Sequence, residues 1–482
     1  MTVSSDMARP DASALGFPEI PLVGRSRPRA AEAAADIDVK VTRAAIRSAL
    51  INRPSRTNHM MITRRKLLAG AVSSALVVTP AILRAAQRTT VTISHGNPTY
   101  QTLLSDLATQ FENDNPTTAI KFVANGDNWD PLLNNTIRDS LVNSLPDGSW
   151  QALTYAGILA NRKIAQPLDQ FFGNDTKNLE TLGLSQTIVE AATVAGSAYC
   201  LPYGTTVPVI YCNMDLLRNA GWPKARPPST WDEIHEIGAK VLAKGGEVNG
   251  GYLEYSGANA WMFQNLLTSY GGRMMNDTGT KVTFGGSEGL QALQTLARFG
   301  EITKTDMTKE QARQAFKAGA TAMHFQSASG TTSTAKAAAG RFELAVGPFP
   351  ISSANGRLAG AGHGMFMFTK DPAKQKVVWE FMKFVTTQKG QLSLARNTGY
   401  MPINLLVLRD PAFIDAYFKI NPHHRSIVER LEITGDQFSF SSDNTVKIMD
   451  MMSDVSHDVV THRVKPAAGL DRMVTETRKW LG

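Results

Sequence analysis

Cysteine is nearly absent from this sequence, because only Cys200 and Cys212 occur among its 482 residues. Two thiols do not make the disulfide framework that stabilises small secreted domains. They lie on either side of Pro202 and Pro208, so one bridge is geometrically conceivable, and two small buried hydrophobic side chains are the alternative. The chain is long enough for two or three domains, each with a core of its own.

An excess of positive charge is also missing from the body of the chain, although the formal net charge is +8. Residues 1–86 hold 13 Lys and Arg against 6 Asp and Glu, whereas the remaining residues hold 37 against 36. A protein that neutralises the phosphates of nucleic acid needs a basic face. The nearly neutral body therefore gives no reason to expect a nucleic-acid partner.

Motifs for metal binding and metal-assisted catalysis are missing as well. The sequence has no cysteine pair at metal-ligand spacing and no HExxH, and we expect no cofactor. His423-His424 is the one adjacent histidine pair, and adjacent side chains rarely share a ligand. Two alternatives stay open: an exported hydrolase of a carbohydrate or phosphodiester with an unrecognised carboxylate pair, and a metal-binding receptor.

An export signal is predicted at residues 60–86. Arg64-Arg65 and Lys66 precede an uncharged run from Leu67 to Leu83, and small residues follow it. A basic start, an apolar stretch and a small-residue exit are typical of a signal peptide, here of the twin-arginine type, with general secretion as the alternative. The apolar run is short for a transmembrane helix of about twenty residues. We therefore expect a periplasmic protein.

The segment before this signal, residues 1–59, has no sustained apolar periodicity. Met60 and Met61 stand directly before the signal, where translation would ordinarily begin. We expect residues 1–59 to be a non-translated or disordered extension.

The body of the chain opens with a strand, a helix and a second strand. Val91–Ile93 predicts a strand, Leu103–Phe111 has apolar residues at helical spacing, and Ile120–Val123 predicts the next strand. This order favours a parallel α/β sheet.

Later signals mark loops and helix starts. Residues 201–208 are rich in Pro, Gly and Thr and predict a loop that crosses between domains. Thr230 and Glu233 form a predicted capping box, and Asp371 precedes Pro372 at a predicted helix start.

A series of weak motifs in a specific order resembles a known family. The sequence is similar over roughly residues 90–481 to the extracellular solute-binding proteins of ABC importers, and it is closest to their glycerol-3-phosphate-binding branch. The motifs are Phe111-Glu112 with Pro116, Leu201-Pro202-Tyr203, Tyr211-Cys212-Asn213, Pro227 to Glu233, Ala322-Met323, Gly347 to Pro350, and Thr398 to Ile403.

The resemblance implies an α/β fold of the two-lobe periplasmic-binding-protein type (type II-like), with a hinge and an interlobe ligand cleft. It implies a monomeric receptor without enzymatic activity, which closes on its solute and delivers it to the membrane subunits of the importer. We expect the first lobe at residues 87–205, the second at 206–320, a return to the first lobe and hinge at 321–370, and C-terminal helices of the second lobe at 371–482.

The resemblance also implies where the ligand binds. Tyr400 and Trp129 match aromatic ligand contacts of the branch, Thr206 and Ser327 match ligand-contacting hydroxyls, and Gly362 matches a close backbone approach. We further expect Trp261 and Tyr255 to supply aromatic surface from the other lobe. The alternatives are a core role for Trp129, plain turns at the hydroxyl residues and a tight turn at Gly362.

One departure from the branch concerns its phosphate-binding arginine. That position falls at Met449, and nearby Lys447 would offer only a point charge without the bidentate geometry of arginine. We therefore expect a sugar, a polyol or a glycerophosphodiester rather than strictly glycerol-3-phosphate.

Overall fold

Thirteen strands form two main sheets and a short hairpin in the part of the chain that the computed structural model describes. The model describes residues 88–96, 100–172, 182–184, 190–257, 260–303, 306–424, 433–440, 442 and 444–481. The predicted signal and the extension before it lie outside the described residues. The strands are β1 (Thr89–His95), β2 (Thr118–Ala124), β3 (Gly148–Ala152), β4 (Thr193–Val194), β5 (Ser197–Ala198), β6 (Cys200–Thr206), β7 (Pro208–Asn213), β8 (Tyr252–Leu253), β9 (Met323–Ser327), β10 (Leu344–Pro348), β11 (Leu358–Met367), β12 (Met401–Pro402) and β13 (Thr434–Asp436).

The first lobe is built on a seven-stranded sheet. Its order is β12-β6-β11-β3-β1-β2, and β13 pairs with β11 outside this path. β1 runs parallel to β2 and β3, as the strand–helix–strand opening predicts, whereas β11 runs antiparallel to both β3 and β6. The core of this lobe includes the fully buried Trp150, Tyr203 and Phe381.

The second lobe is built on a four-stranded sheet of order β10-β7-β9-β8. β7 pairs antiparallel with β9 and β10, and β8 runs parallel to β9. Its core includes Phe299, Phe316 and Phe325, which are all fully buried. Both lobes therefore have apolar cores large enough to act as rigid bodies.

Helices cover both sheets, and none of those in the described part of the chain is long and apolar enough to cross a membrane. The α-helices are Gln101–Asp114, Trp129–Leu141, Ala156–Asn161, Asp169–Phe172, Met214–Asn219, Trp231–Ala243, Trp261–Ser269, Ser287–Ile302, Lys309–Lys317, Thr331–Ala338, Pro372–Thr386, Gln388–Asn397, Leu405–Leu408, Pro411–Ile420, Thr445–Val460 and Pro466–Leu481.

The positions of the later elements differ from the predicted boundaries. β9 and β10 belong to the second sheet, although residues 321–370 were expected to return to the first lobe. Helix Pro372–Thr386 packs on β1 and β6 of the first lobe, because its apolar residues complete the core around Trp150. In residues 371–482, the two C-terminal helices, beginning at Thr445 and Pro466, pack on helix Ser287–Ile302 of the second lobe.

Residues 201–208, predicted as a crossing loop, contain strand β6 instead. β6 lies between β11 and β12, and its register with β11 shifts between His363 and Gly364, opposite Pro202. Proline has no N–H to donate to a neighbouring strand, so an irregularity in the pairing accommodates it. The crossing itself is reduced to Val207, between β6 and β7.

Helix starts largely follow the predicted signals. Asp371 accepts hydrogen bonds from the first turn of its helix, with Pro372 at the first position. Thr230 caps its helix as predicted, but the capping box is incomplete, because the Glu233 carboxylate accepts from the N–H of Ser229. A complete capping box that the sequence analysis missed joins Thr308 and Gln311 at the start of helix Lys309–Lys317.

The two cysteines are free and buried. Cys200 lies in β6 and Cys212 in β7. Burial raises the pKa of both thiols, so both stay protonated near neutral pH. They are packing residues, as the alternative to a disulfide predicted.

Candidate functional site

A cleft of about 620 Å³ lies where elements of the two lobes face each other. The first lobe contributes the start of helix Trp129–Leu141 and the segment that ends at Tyr400, and the second contributes helix Lys309–Lys317 and the end of β9. A volume of this size is ordinary for a small-molecule site. Six of the predicted site residues line it: Trp129, Thr206, Trp261, Ser327, Gly362 and Tyr400.

An aromatic wall covers the first-lobe side of the cleft. Tyr100 has its ring centroid 6.3 Å from that of Trp129 and 6.1 Å from that of Tyr400. Tyr400 in turn lies edge-on to His363, with 4.1 Å between the ring centroids. Burial raises the pKa of the Tyr400 hydroxyl, which therefore stays protonated at neutral pH. These rings offer apolar faces for C–H groups together with hydroxyl and indole donors.

His363 supports this wall through ring contacts with its members. Its ring stacks at 5.8 Å on Trp129 and at 5.4 Å on Trp150, whose indole N–H donates to Nδ1. The imidazole is 1% exposed, and burial lowers its pKa to about 3, so the ring is neutral at physiological pH. The structure thus gives His363 a packing role beneath the cleft rather than a place on its surface.

Hydroxyl groups cluster at the crossing between the lobes. The Thr206 hydroxyl lies 2.8 Å from that of Ser327, which lies 2.7 Å from that of Ser329. The N–H of Ser329 donates to both Thr206 Oγ1 and Ser327 Oγ, at 3.1 Å each. This network joins the last residue of β6 to the last residue of β9 and presents hydroxyls to the cleft.

Trp261 and Gly362 border the cleft near the same crossing. Trp261 is 8% exposed, and its indole N–H donates to the Ala359 carbonyl at 2.6 Å, so it is anchored at the start of β11. A Cβ on Gly362 would stand 2.6 Å from Leu153 Cδ1. A larger residue at position 362 would therefore require the Leu153 side chain to move.

The second-lobe side of the cleft carries charge. Arg313 donates from Nε and one terminal nitrogen to both oxygens of Glu254, at 2.7 Å each. His324 Nε2 lies 3.1 Å from the same carboxylate. Burial would raise the pKa of Glu254, but the guanidinium and the imidazole lower it to about 2. Glu254 is therefore ionised, and its charge is matched by Arg313.

Two residues considered from the sequence lie elsewhere. Tyr255 lines a separate cavity beside Tyr252 and Asp306, facing away from the aromatic wall. Lys447 sits with its Nζ 4.5 Å from the centre of the Trp480 ring, in another surface hollow. Neither contributes to the cleft lining, and Met449 is buried in the second-lobe core.

Several lining residues were missed by sequence reasoning. Tyr100, Glu254 and Arg313 all border the cleft, and they meet only because the fold brings distant segments together. One local signal was available: Lys309, Arg313 and Lys317 repeat every four residues, which places three cations on one helix face. Within the described residues, no group of three or more His, Cys, Asp or Glu side chains is arranged to hold a metal ion.

Comparison with known sequences gives a consistent result. The sequence profile of the bacterial extracellular solute-binding proteins matches residues 95–392. A binding protein of Brucella abortus is 24% identical over 360 residues, which cover 73% of this chain and 84% of that protein. The sn-glycerol-3-phosphate-binding periplasmic protein UgpB of Brucella melitensis is 27% identical over 240 residues, covering 47% of this chain and 54% of that protein.

Solved structures share the fold. UgpB from Mycobacterium tuberculosis in complex with glycerophosphocholine gives a TM-score of 0.72 at 18% identity, covering 81% of this chain and 98% of that one. The GacH receptor of Streptomyces glaucescens, solved unliganded and with acarbose, gives 0.69 at 18% identity, covering 82% and 98%. Identities this low show the fold alone, and they confirm the predicted two-lobe α/β architecture.

Proposed function

The chain belongs to the bacterial extracellular solute-binding protein family, and from this premise we propose that its cleft captures a sugar, polyol or glycerophosphodiester for an ABC importer. The observation that carries the proposal is the pairing of an aromatic wall with a hydroxyl cluster inside one interlobe cavity. Sugars and polyols present C–H faces that rest on aromatic rings and hydroxyls that exchange hydrogen bonds. Trp129, Tyr400, Thr206, Ser327, Gly362 and Trp261 are the proposed ligand contacts.

Closure of the two lobes around the solute would produce the form that delivers it to the importer. The chain passes from the first lobe to the second at Val207 and returns between residues 349 and 357, and torsion changes in such short segments would let the lobes close. The Thr206–Ser327 hydroxyl pair lies next to the first of these crossings. A ligand that bridges the aromatic wall and the hydroxyl cluster stabilises the closed arrangement by contacting both lobes.

Export and partners complete the proposal. We propose that the protein is exported through its twin-arginine signal, acts in the periplasm as a monomer, and hands its solute to the membrane subunits of the importer. The family membership supports the location, and the short apolar run after Arg64-Arg65 supports the route.

A hydrolase is the second function considered, and one sequence string invites it. Residues Gly285–Gly289 match the spacing Gly-x-Ser-x-Gly of serine hydrolases. That motif needs a strand before the serine and a histidine beside it, whereas Ser287 is exposed and opens a helix without a preceding strand. Among the described residues, no hydrogen bond connects Ser287 to a histidine. This string is therefore not the nucleophile turn of a serine hydrolase.

The test is a ligand panel on the receptor expressed with its signal and purified from the periplasm. Calorimetry and thermal unfolding are measured with maltose, ribitol, glycerol-3-phosphate and glycerophosphocholine. A ligand at a hundred times its Kd stabilises the protein by about 2.7 kcal/mol, which gives a clear rise in Tm. Binding without turnover supports a receptor. Turnover of a glycoside or phosphodiester, or the absence of binding across the panel by folded protein, refutes it.

A further inference from the structure

Helix Lys309–Lys317 turns a row of cations toward the cleft. Lys309, Arg313 and Lys317 are spaced by four residues, so their side chains lie along one helix face, and all three line the cavity. We propose that this basic row binds a phosphate group of the solute, whether a monoester or a diester. The inference rests on the proposed receptor function and adds a chemical class and a place for the anionic end of the ligand.

Arg313 is positioned to offer donors to an anion. Its contacts with Glu254 use Nε and one terminal nitrogen, and they fix the guanidinium plane. The other terminal nitrogen has Glu310 at 3.5 Å, beyond a good hydrogen-bond length. Arginine has five N–H donors, so the guanidinium keeps donors for an incoming phosphate at no cost in side-chain ordering.

Lys309 and Lys317 are the two lysines of this basic row. Both side chains are partly buried, and neither takes part in an ion pair within the described part of the chain. Burial and the neighbouring Arg313 charge lower the pKa of Lys317. Neighbouring positive groups repel one another, and Glu254 and Glu310 compensate mainly the charge of Arg313, so a further counter-charge is favourable here. A bound phosphate supplies that charge.

The charged residues that line the cleft support the same proposal. Its lining carries five basic residues (Lys309, Arg313, Lys317, Lys336 and Arg396) and three acidic ones (Asp127, Glu254 and Glu310). Glu254 is already neutralised by Arg313, and Glu310 lies near the same guanidinium. Among the described residues, the lining thus has two more basic than acidic side chains, although the body of the chain is nearly neutral.

This location differs from the one that the family resemblance suggested. Lys447, next to the expected arginine position, lies against Trp480 outside the cleft. A phosphate bound in the cavity therefore takes its cations from helix Lys309–Lys317. The aromatic wall with Tyr400 is left for the uncharged part of the same molecule.

A competing explanation is that one lysine serves lobe closure. Lys309 Nζ and Asp130 Oδ2 both lie near Gly257, because a Cβ added to Gly257 would stand 3.0 Å from the first atom and 3.1 Å from the second. The two charged groups therefore approach each other across the cleft. If closure were the whole role of Lys309, its loss would weaken neutral and charged ligands equally. Binding of the phosphate predicts a loss confined to charged ligands.

The experiment compares K309Q, K317Q and the double variant with wild type by calorimetry, with K447Q as the matched control. The probes are glycerophosphocholine, glycerol-3-phosphate, inorganic phosphate and neutral maltose and ribitol. We expect a phosphate ester to bind wild type, each substitution to raise its Kd about tenfold, and the double variant to raise it about a hundredfold. K447Q and the unfolding midpoints of all variants should stay at wild-type values, and added salt should raise the wild-type Kd.

Each other outcome overturns the inference in a recognisable way. Tight binding of a neutral solute with no binding of phosphate esters removes the phosphate subsite and leaves the receptor function intact. Unchanged affinity in the double variant, or an equal loss in K447Q or for neutral ligands, assigns the row another role. The absence of binding by every probe refutes the receptor function, and the subsite falls with it. The two phosphate esters distinguish a diester from a monoester.

Discussion

The two walls of the cleft are built from opposite kinds of side chain. The first-lobe wall is a set of aromatic rings around Trp129 and Tyr400, held by ring contacts with His363. The second-lobe wall is polar and charged, and its side chains are fixed by the Arg313–Glu254 ion pair. In the proposed function, the first wall would contact the C–H surface of the solute and the second wall would contact its charged group.

This difference means that the two walls should respond differently to substitution. Aromatic rings contribute buried area at the ligand, so their truncation should lower affinity. A half-buried ion pair contributes to the fold, since removing one partner leaves the other charged and poorly solvated. Substitutions in the Arg313–Glu254 pair should therefore be seen first in stability.

The largest effect is expected for R313M, which keeps the aliphatic stem and removes the charge. Glu254 is 9% exposed and would lose its partner, so we expect a loss of about 3 kcal/mol in the free energy of unfolding, near the lower end for buried pairs because Arg313 is 35% exposed. Urea unfolding measures it. The control is R298M, whose partner Asp232 is 92% exposed and which should cost less than about 1 kcal/mol.

The acid response of the same pair provides an independent check. The folded-state pKa of Glu254, about 2, lies below its ordinary value of about 4.5. Between these two pKa values the Glu254 carboxylate is protonated in the unfolded chain but not in the folded chain. The free energy of unfolding therefore falls as the pH drops from about 4.5 to 2. The variant E254Q should lack this component of the acid destabilisation. An R313M protein as stable as R298M would show that the wall does not depend on the pair.

The second effect concerns the aromatic wall. W129A should raise the Kd of the solute about thirtyfold, because an aromatic contact at the centre of a site contributes roughly 2 kcal/mol. Trp129 is only partly buried, so the unfolding midpoint should change little. W222A is the matched control, since Trp222 is also partly buried but donates to Arg226 O outside the cleft. Equal affinities for the two variants would remove Trp129 from the site.

The two walls also show which features of the site can be predicted from the sequence. Local patterns predicted the β1–helix–β2 opening and the helix cap at Asp371, because such features depend on neighbours in the chain. The family resemblance pointed to Trp129 and Tyr400, which the structure brings within one aromatic wall. Their contact with a ligand stays a prediction.

The second wall was harder to predict because it depends on long-range contacts. Arg313 acquires its role from Glu254, which lies 59 residues earlier in the chain. Tyr255 follows Glu254 directly, yet it lines a different cavity beside Tyr252 and Asp306, which the sequence spacing did not indicate. The predicted place of helix Pro372–Thr386 differs from the observed one for a similar reason, because its apolar face does not itself specify a sheet and the assembled core of the first lobe selects one.

The smallest expected effect tests the hydroxyl cluster at the crossing between the lobes. T206V keeps the shape of the side chain and removes a hydroxyl that contacts Ser327 at 2.8 Å and accepts from the Ser329 N–H. That N–H retains Ser327 Oγ as an acceptor, so the loss of stability should be only about 1 kcal/mol, with a severalfold weaker affinity measured by calorimetry. T205V is the control, because the Thr205 hydroxyl bonds to the Ala361 carbonyl and lines the neighbouring cavity. If T205V weakens binding as much as T206V, the effect comes from the strand and not from the hydroxyl that joins the lobes.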